Sequence, residues 1–216
     1  RITLVSHLFD IEKSFYHNYF ASLGNAMSDL TKLQELHLSY INIKCSGSSG
    51  LFKRLEKIIN LRILELEVSF EEDAAESISD FIVQNEKIYK LILSLNPYFS
   101  GQEPYHSTTP KGLRQILQGI KFLDDLEILK LNIGKVSNFN VRTDCTEISK
   151  LIPNLKNLRT FHLRSEGSYL NKHELKLLPA ALFKLEKLMY FTLSGNFIHL
   201  ESKLLNTFSQ ALEDAR

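Results

Sequence analysis

The hydrophobic motif LxxLxL occurs six times in this chain, and that repetition limits the possible folds more than any other feature. The six copies begin at Leu33, Leu61, Ile88, Leu126, Leu158 and Leu188. A partial copy, Ile2-Thr3-Leu4, precedes them and brings the number of units to about seven. Similarity that returns at intervals of this size is typical of solenoids and other repeat architectures. The sequence therefore predicts a stack of similar units.

Each unit combines a strand pattern with a helix pattern. In the LxL half of the motif, residues i and i+2 point to one face of a strand, so both leucines should be buried and their neighbours exposed. Apolar residues between the motifs recur at helical spacing. In the second unit this stripe comprises Leu51, Leu55, Ile58 and Ile59. Because one strand and one helix cannot bury their apolar faces alone, the units should stack into a parallel sheet covered by helices.

In five units, a further apolar residue stands three positions before the motif. These residues are Leu30, Ile58, Leu123, Leu155 and Leu185. With this addition, the pattern resembles the leucine-rich-repeat family, nearest to its ribonuclease-inhibitor-like class with repeats of about 28 residues. The resemblance covers essentially the whole chain. It implies an α/β solenoid, a horseshoe with a parallel sheet on the concave face and helices on the convex face, and protein recognition by the concave sheet.

The family usually places Asn or Cys three residues after the second strand leucine, and here only Asn96 and Asn196 match. The turns should therefore be less regular than in the family. We expect residues 1–216 to form a single leucine-rich-repeat domain of about seven strand–helix units. The first residue is Arg1 rather than Met, so we expect the domain to be a fragment of a longer chain.

Composition excludes several classes of function. The chain has 26 basic and 25 acidic residues, so no strong overall field attracts nucleic acid or an anionic membrane. Its two cysteines, Cys45 and Cys145, form no CxxC pair and are interpreted as free thiols, although a disulfide between them stays open. No apolar run reaches the length of a membrane span, and no signal peptide is visible. We expect an intracellular, cytoplasmic protein that binds neither nucleic acid nor membrane.

The strand residues that alternate with the buried leucines form the first candidate site. If the motifs align, the acidic residues lie in the first half of the concave face and the basic residues in the second, with apolar side chains among them. The predicted partner-binding residues of this face are Glu35, His37, Ile63, Glu65, Glu67, Lys90, Ile92, Ile128, Lys130, Asn132, His162, Arg164 and Tyr190. Such a mixture is typical of protein interfaces. The alternative is a solvated face whose charges have no role.

The long interval between the third and fourth full copies of the motif is the second candidate. Residues 96–110 contain the aromatic residues Tyr98, Phe99 and Tyr105, which we add to the partner-binding set. Insertions in solenoids map to loops on one edge and often contribute to binding. A neutral insertion is the alternative, since lengthening a loop costs little closure entropy. Residues 134–143 and 166–172 should lie on the same edge, so we expect a lateral contact site there.

Catalytic patterns are missing from the sequence, which contains no GxSxG, P-loop, GxGxxG or HExxH motif. His37 and His162 fall in one predicted column but four strands apart, too far to share a metal. We therefore predict no enzyme activity, no metal and no cofactor. The leading hypothesis is a protein-interaction or scaffold module. The alternatives are a structural subunit of a larger assembly and a regulatory repeat domain of a larger enzyme.

Overall fold

Seven strands and six α-helices alternate along the chain in a computed structural model that describes residues 1–5, 13–43, 49–70, 72–97, 111–133, 145–165 and 172–195, with Asn206, Ser209 and Gln210. The strands are β1 (Ile2–Val5), β2 (Glu35–Ile43), β3 (Ile63–Phe70), β4 (Lys90–Pro97), β5 (Ile128–Ile133), β6 (Thr160–Ser165) and β7 (Tyr190–Gly195). The helices are α1 (Lys13–Ser28), α2 (Ser49–Arg54), α3 (Glu72–Gln84), α4 (Lys111–Ile120), α5 (Cys145–Leu151) and α6 (Lys172–Leu182). Short 3-10 turns, Leu55–Lys57 and Ile152–Asn154, extend α2 and α5.

The seven strands form one all-parallel sheet in which spatial order equals chain order, from β1 to β7. The alignment of the motifs predicted from the sequence is confirmed, because equivalent motif residues are register partners on neighbouring strands. One row of partners runs through Leu36, Leu64, Leu91, Leu129, Phe161 and Phe191. A second row runs through Leu4, Leu38, Leu66, Leu93, Leu131, Leu163 and Leu193. The register shifts only within β2, between Leu38 and Ile41.

The core lies between these leucine rows and the helices. The residues of these two rows on β2 to β6 are almost fully buried. They form one cluster with helix residues such as Phe52, Ile78 and Ile116. Phe52 and Phe81 pack with ring centroids 5.6 Å apart and so join α2 to α3. Each buried side chain of this size stabilises the fold by about 1.5–3 kcal/mol relative to an exposed one. The described helices thus cover one face of the sheet, and the other face carries the alternate strand residues.

A repeated pair of hydrogen bonds fixes the strands against one another where they begin. The carbonyl oxygen of Gln34 accepts both the N–H of Arg62 at 2.8 Å and that of Ile63 at 3.0 Å. The carbonyls of Arg62, Tyr89, Glu127 and Arg159 accept two N–H groups of the following unit in the same way. Because every junction from β2 to β7 uses the same bonds, the side chains of successive strands line up across the sheet.

The second unit departs from the expected helical stripe. Leu51, Leu55 and Ile58 are buried as predicted, but Ile59 is 53% exposed, so the prediction for Ile59 was wrong. The α-helix ends at Arg54, a 3-10 turn follows, and Ile58 adopts an extended backbone with ψ 95°. Because the helical period stops before Ile59, its side chain does not continue the buried stripe.

Candidate functional site

The face of the sheet that the described helices leave uncovered is the candidate site, and we call it the open face. Its first column contains Glu35, Ile63, Lys90, Ile128, Thr160 and Tyr190. Its middle column contains Thr3, His37, Glu65, Ile92, Lys130, His162 and Thr192. Its third column contains Glu67, Ser94, Asn132, Arg164 and Ser194. The structure therefore brings together all the predicted binding residues that lie on strands.

His37 and two glutamates form the acidic end of the open face. His37 Nδ1 lies 2.8 Å from Glu65 Oε2, a hydrogen bond between β2 and β3, and its Nε2 lies 4.0 Å from Glu35 Oε2. Arg1 Nε lies 3.6 Å from the same Glu35 oxygen. The histidine side chain is only 14% exposed, whereas those of Glu35 and Glu65 are 36% and 38% exposed. The carboxylates, rather than the histidine ring, are therefore the accessible groups at this end.

Glu67 is the third carboxylate of the acidic end. It follows Glu65 by two residues on β3, so both side chains point to the open face. Partial burial and repulsion from Glu65 raise the pKa of Glu67 above its ordinary value. The ionised carboxylate is disfavoured in this position, and a cation placed over Glu65 and Glu67 would stabilise it.

Lys90, Lys130 and Arg164 form the basic end on β4, β5 and β6. His162 lies beside Lys130 in the register, and partial burial together with the Lys130 charge lowers the pKa of His162 below its ordinary value. At neutral pH this histidine is therefore mainly uncharged. Asn132 donates a hydrogen bond from Nδ2 to Ser94 Oγ at 3.4 Å, and its buried Oδ1 has no partner among the described residues.

Three isoleucines lie among the charged residues on β3, β4 and β5. Ile63, Ile92 and Ile128 are each half-buried, and Ile92 is the register partner of Glu65 on one side and of Lys130 on the other. Neighbouring strands lie about 4.8 Å apart, so the backbones that carry Glu65 and Lys130 are separated by about 10 Å. Three consecutive strands thus present an acid, an aliphatic residue and a base in one straight row.

At β7 the open face ends in exposed apolar side chains. Tyr190 is 63% exposed, as its alternation with the motif residues predicts, and Met189 beside it is 65% exposed. Met189 was missed because it precedes the strand and falls outside the alternating columns. Its signal in the sequence is its position directly after the first motif residue, and Tyr89, at the equivalent position of the fourth unit, is 37% exposed.

Several predicted contributors fall outside the described residues. Tyr98, Phe99 and Tyr105 do so, as do residues 134–143 and 166–171 of the expected lateral site. Asn96 and Pro97, at the start of the long interval, are the last two residues of β4. The lateral site therefore stays a prediction.

A cleft of about 660 Å³ lies on the helical side of the molecule, lined by residues of α1, α2 and α3. It includes Asn25, Arg54, Glu56 and Asp80. Arg54 is held in place by hydrogen bonds from Nε to Asn25 Oδ1 at 3.0 Å and from Nη1 to the Gly50 carbonyl at 2.9 Å. Because the charged head of Arg54 already bonds to Asn25 of α1 and Gly50 of α2, the open face is the stronger candidate.

Within the described part of the chain, no group of three or more His, Cys, Asp or Glu side chains has a geometry that could hold a metal ion. None of the described helices is long and apolar enough to cross a membrane.

Comparison with known proteins adds no assignment. No protein-family model matches the chain, and a search of curated proteins found no match.

Proposed function

We propose that this chain is a leucine-rich-repeat module that binds another protein through the open face of its sheet and catalyses no reaction. The observation that carries the proposal is the row Glu65–Ile92–Lys130, in which acidic, aliphatic and basic side chains stand in register on consecutive strands. Protein interfaces combine apolar contact area with charged groups that set orientation and specificity. The row offers both on a sheet whose geometry is fixed by backbone hydrogen bonds.

The assignment to the leucine-rich-repeat class, with a horseshoe shape, rests on the repeated motif and is supported by the topology. Strand order equals chain order. A doubly wound nucleotide-binding sheet reverses its strand order near the middle and binds its ligand at that switch point. A sequential sheet with helices on one face is what stacked repeats produce. On this basis, the open face would be the concave surface, and the intracellular, cytoplasmic setting remains part of the proposal.

A comparative pull-down tests the function. One bait is the wild-type chain, and the other carries Glu65→Lys, Glu67→Lys, Lys130→Glu and Arg164→Glu. A matched control bait carries Glu76→Lys, Glu86→Lys, Lys121→Glu and Lys156→Glu, four exposed residues outside the sheet with the same change of charge. Quantitative mass spectrometry should show proteins that bind wild type and the control but are lost from the open-face variant. If a folded open-face variant retains every partner, the proposal is wrong.

A permanent structural role in a larger assembly is the second candidate. The exposure of Met189 and Tyr190 favours it, since obligate interfaces are more apolar than transient ones. Purification of the native protein at high salt distinguishes the two roles. A stoichiometric complex that survives, and that Met189→Lys disrupts, would support the structural role. Release of the partner at high salt would support the charged open face. A regulatory domain of a larger enzyme remains the third alternative.

A further inference from the structure

The spacing of the charged row restricts what kind of partner segment can contact it. Glu65, Ile92 and Lys130 stand on successive strands, so contacts with a partner must recur about every 4.8 Å and the two charges lie about 10 Å apart. The row runs across the strands, so a partner that contacts all three residues must cross them.

An α-helix meets this spacing. It rises about 1.5 Å per residue, which places residues i, i+3 or i+4, and i+7 on one face at about 0, 5 and 10 Å. An extended segment rises about 3.3 Å per residue and shows the same face every second residue, at about 0, 7 and 13 Å. The helical series coincides with three strands in succession, whereas the extended series misses the third strand by about 3 Å.

The charges select a sequence for such a helix and also its direction. A basic side chain fits over Glu65 and Glu67, an aliphatic one over Ile92, and an acidic one over Lys130. The N-terminal end of a helix carries partial positive charge and the C-terminal end partial negative charge. The charges of the open face therefore favour the direction that places the N-terminal end of the helix over β3 and its C-terminal end over β5, toward Arg164 on β6.

We propose that the partner of the open face is an amphipathic α-helix that crosses β3, β4 and β5 with Lys or Arg at position i, an aliphatic residue at i+3 or i+4, and Asp or Glu at i+7. This rests on the proposed function and makes the partner's chemistry specific. Ile63 on β3 and Ile128 on β5 lie diagonally to Ile92, on either side of Lys90, and add apolar contact beside the row. The raised pKa of Glu67 fits a site that receives a cation.

Selection from two displayed libraries, with the intact 216-residue chain as bait, tests the proposal. One library presents a stabilised helical scaffold randomised at i, i+3, i+4 and i+7. The other presents unstructured linear peptides of the same length. We expect the helical library to yield binders with the order basic, aliphatic, acidic. Their Kd should rise by about tenfold against a variant with Glu67→Lys and Lys130→Glu, because like charges then face each other.

Exchange of charges provides the control for folding and for specificity. The variant with Glu67→Lys and Lys130→Glu leaves Glu65 unchanged, so the hydrogen bond from His37 is retained. A selected helix whose basic and acidic residues are exchanged should bind this variant more tightly than the original helix does. A second variant, Glu86→Lys with Lys121→Glu, changes exposed charges outside the sheet and should leave the Kd of the original helix unchanged.

The other outcomes separate this inference from the proposed function. Binders from the linear library alone that depend on the open face would overturn the helix and leave the proposed function standing. Helical binders with no preferred charge order, or with no response to charge exchange, would overturn the proposed charge pattern of the helix and leave the proposed function standing. Both proposals are wrong if neither library yields a binder that depends on the open face and the open-face variant loses no native partner in the pull-down.

Discussion

The side chain of Asn85 accepts the backbone N–H of Leu61, with 3.2 Å between Oδ1 and N. Leu61 is the first residue of its motif. In the other full copies of the motif, the backbone N–H of the first residue donates to the carbonyl three residues earlier. That backbone bond is made by Leu33, Ile88, Leu126, Leu158 and Leu188. Asn85 also donates from Nδ2 to the Phe81 carbonyl at 2.9 Å and is completely buried. One side chain thus replaces a missing backbone bond and joins the units of β3 and β4.

Replacing Asn85 by alanine should therefore be unusually costly for a polar residue. Asn85→Ala leaves the Leu61 N–H buried without an acceptor, and we expect the free energy of unfolding to fall by about 1–3 kcal/mol. Urea denaturation followed by circular dichroism measures the change.

Asn154 provides a matched control for Asn85. Its Nδ2 donates to the carbonyls of Lys150 at 2.8 Å and Leu151 at 3.1 Å, also at a helix end, but the residue is half-buried. Water can reach the groups that Asn154→Ala frees, so its cost should be smaller, near the lower end of about 0.5–1.5 kcal/mol. Equal costs for the two variants would contradict the role of Asn85 in replacing the backbone bond.

Asn85 also illustrates what the sequence could and could not reveal. The period of two in each LxL segment fixes which residues are buried, and the repetition of the motif fixes the register, so the columns of the open face were predictable. Asn85 occupies the position three residues before its motif, where five other units have an apolar residue. That irregularity was a visible signal, but the acceptor role depends on the turn of the preceding unit, which no local pattern encodes.

The same distinction applies to the site. The positions of His37 and Glu65 on one face followed from alternation, but their 2.8 Å hydrogen bond depends on rotamers and on the approach of two strands. The early end of α2 also had no clear local signal, and it misled the prediction for Ile59. Alternation specifies the face on which a side chain lies, while contacts between strands decide which charges remain accessible.

The assignment of buried and open faces makes a direct prediction about stability. Leu66→Ala removes a fully buried strand side chain and should lower the free energy of unfolding by about 2–5 kcal/mol. Lys130→Ala changes an exposed residue of the open face and should alter it by no more than about 0.5 kcal/mol. Chemical denaturation measures both. If Lys130→Ala were the more destabilising change, the assigned faces would be reversed.

Glu67 predicts an unusual dependence of stability on pH. Its pKa in the folded state is raised above the ordinary value of 4.5, so the folded chain takes up this proton before the unfolded chain as the pH falls. At pH 7 the ionised group therefore destabilises the fold, and Glu67→Gln should stabilise it, by no more than about 0.5 kcal/mol because the site is partly solvated.

The advantage of Glu67→Gln should disappear as the pH falls through the raised pKa and below 4.5, where Glu67 is protonated in both states. Urea titrations at pH 7 and pH 4 measure the difference, with Glu86→Gln, a change in an exposed loop, as the control for losing one charge. A Glu67→Gln variant that is less stable than wild type at pH 7 would contradict the raised pKa.

His162 and Lys130 give a test of the register by nuclear magnetic resonance. They are partners across β5 and β6, and burial first and the Lys130 charge second lower the pKa of His162 below 6.5. In Lys130→Gln the His162 pKa should rise but stay below 6.5, because burial remains. Titration of the imidazole carbon-bound protons measures it, and Lys156→Gln, in an exposed loop, should leave it unchanged.

Since the folded-state pKa of His162 is lowered, the unfolded chain takes up this proton first, and the fold loses stability as the pH falls below 6.5. An unchanged His162 pKa in Lys130→Gln would mean that the two side chains are not neighbours, and the columns of the open face would have to be redrawn.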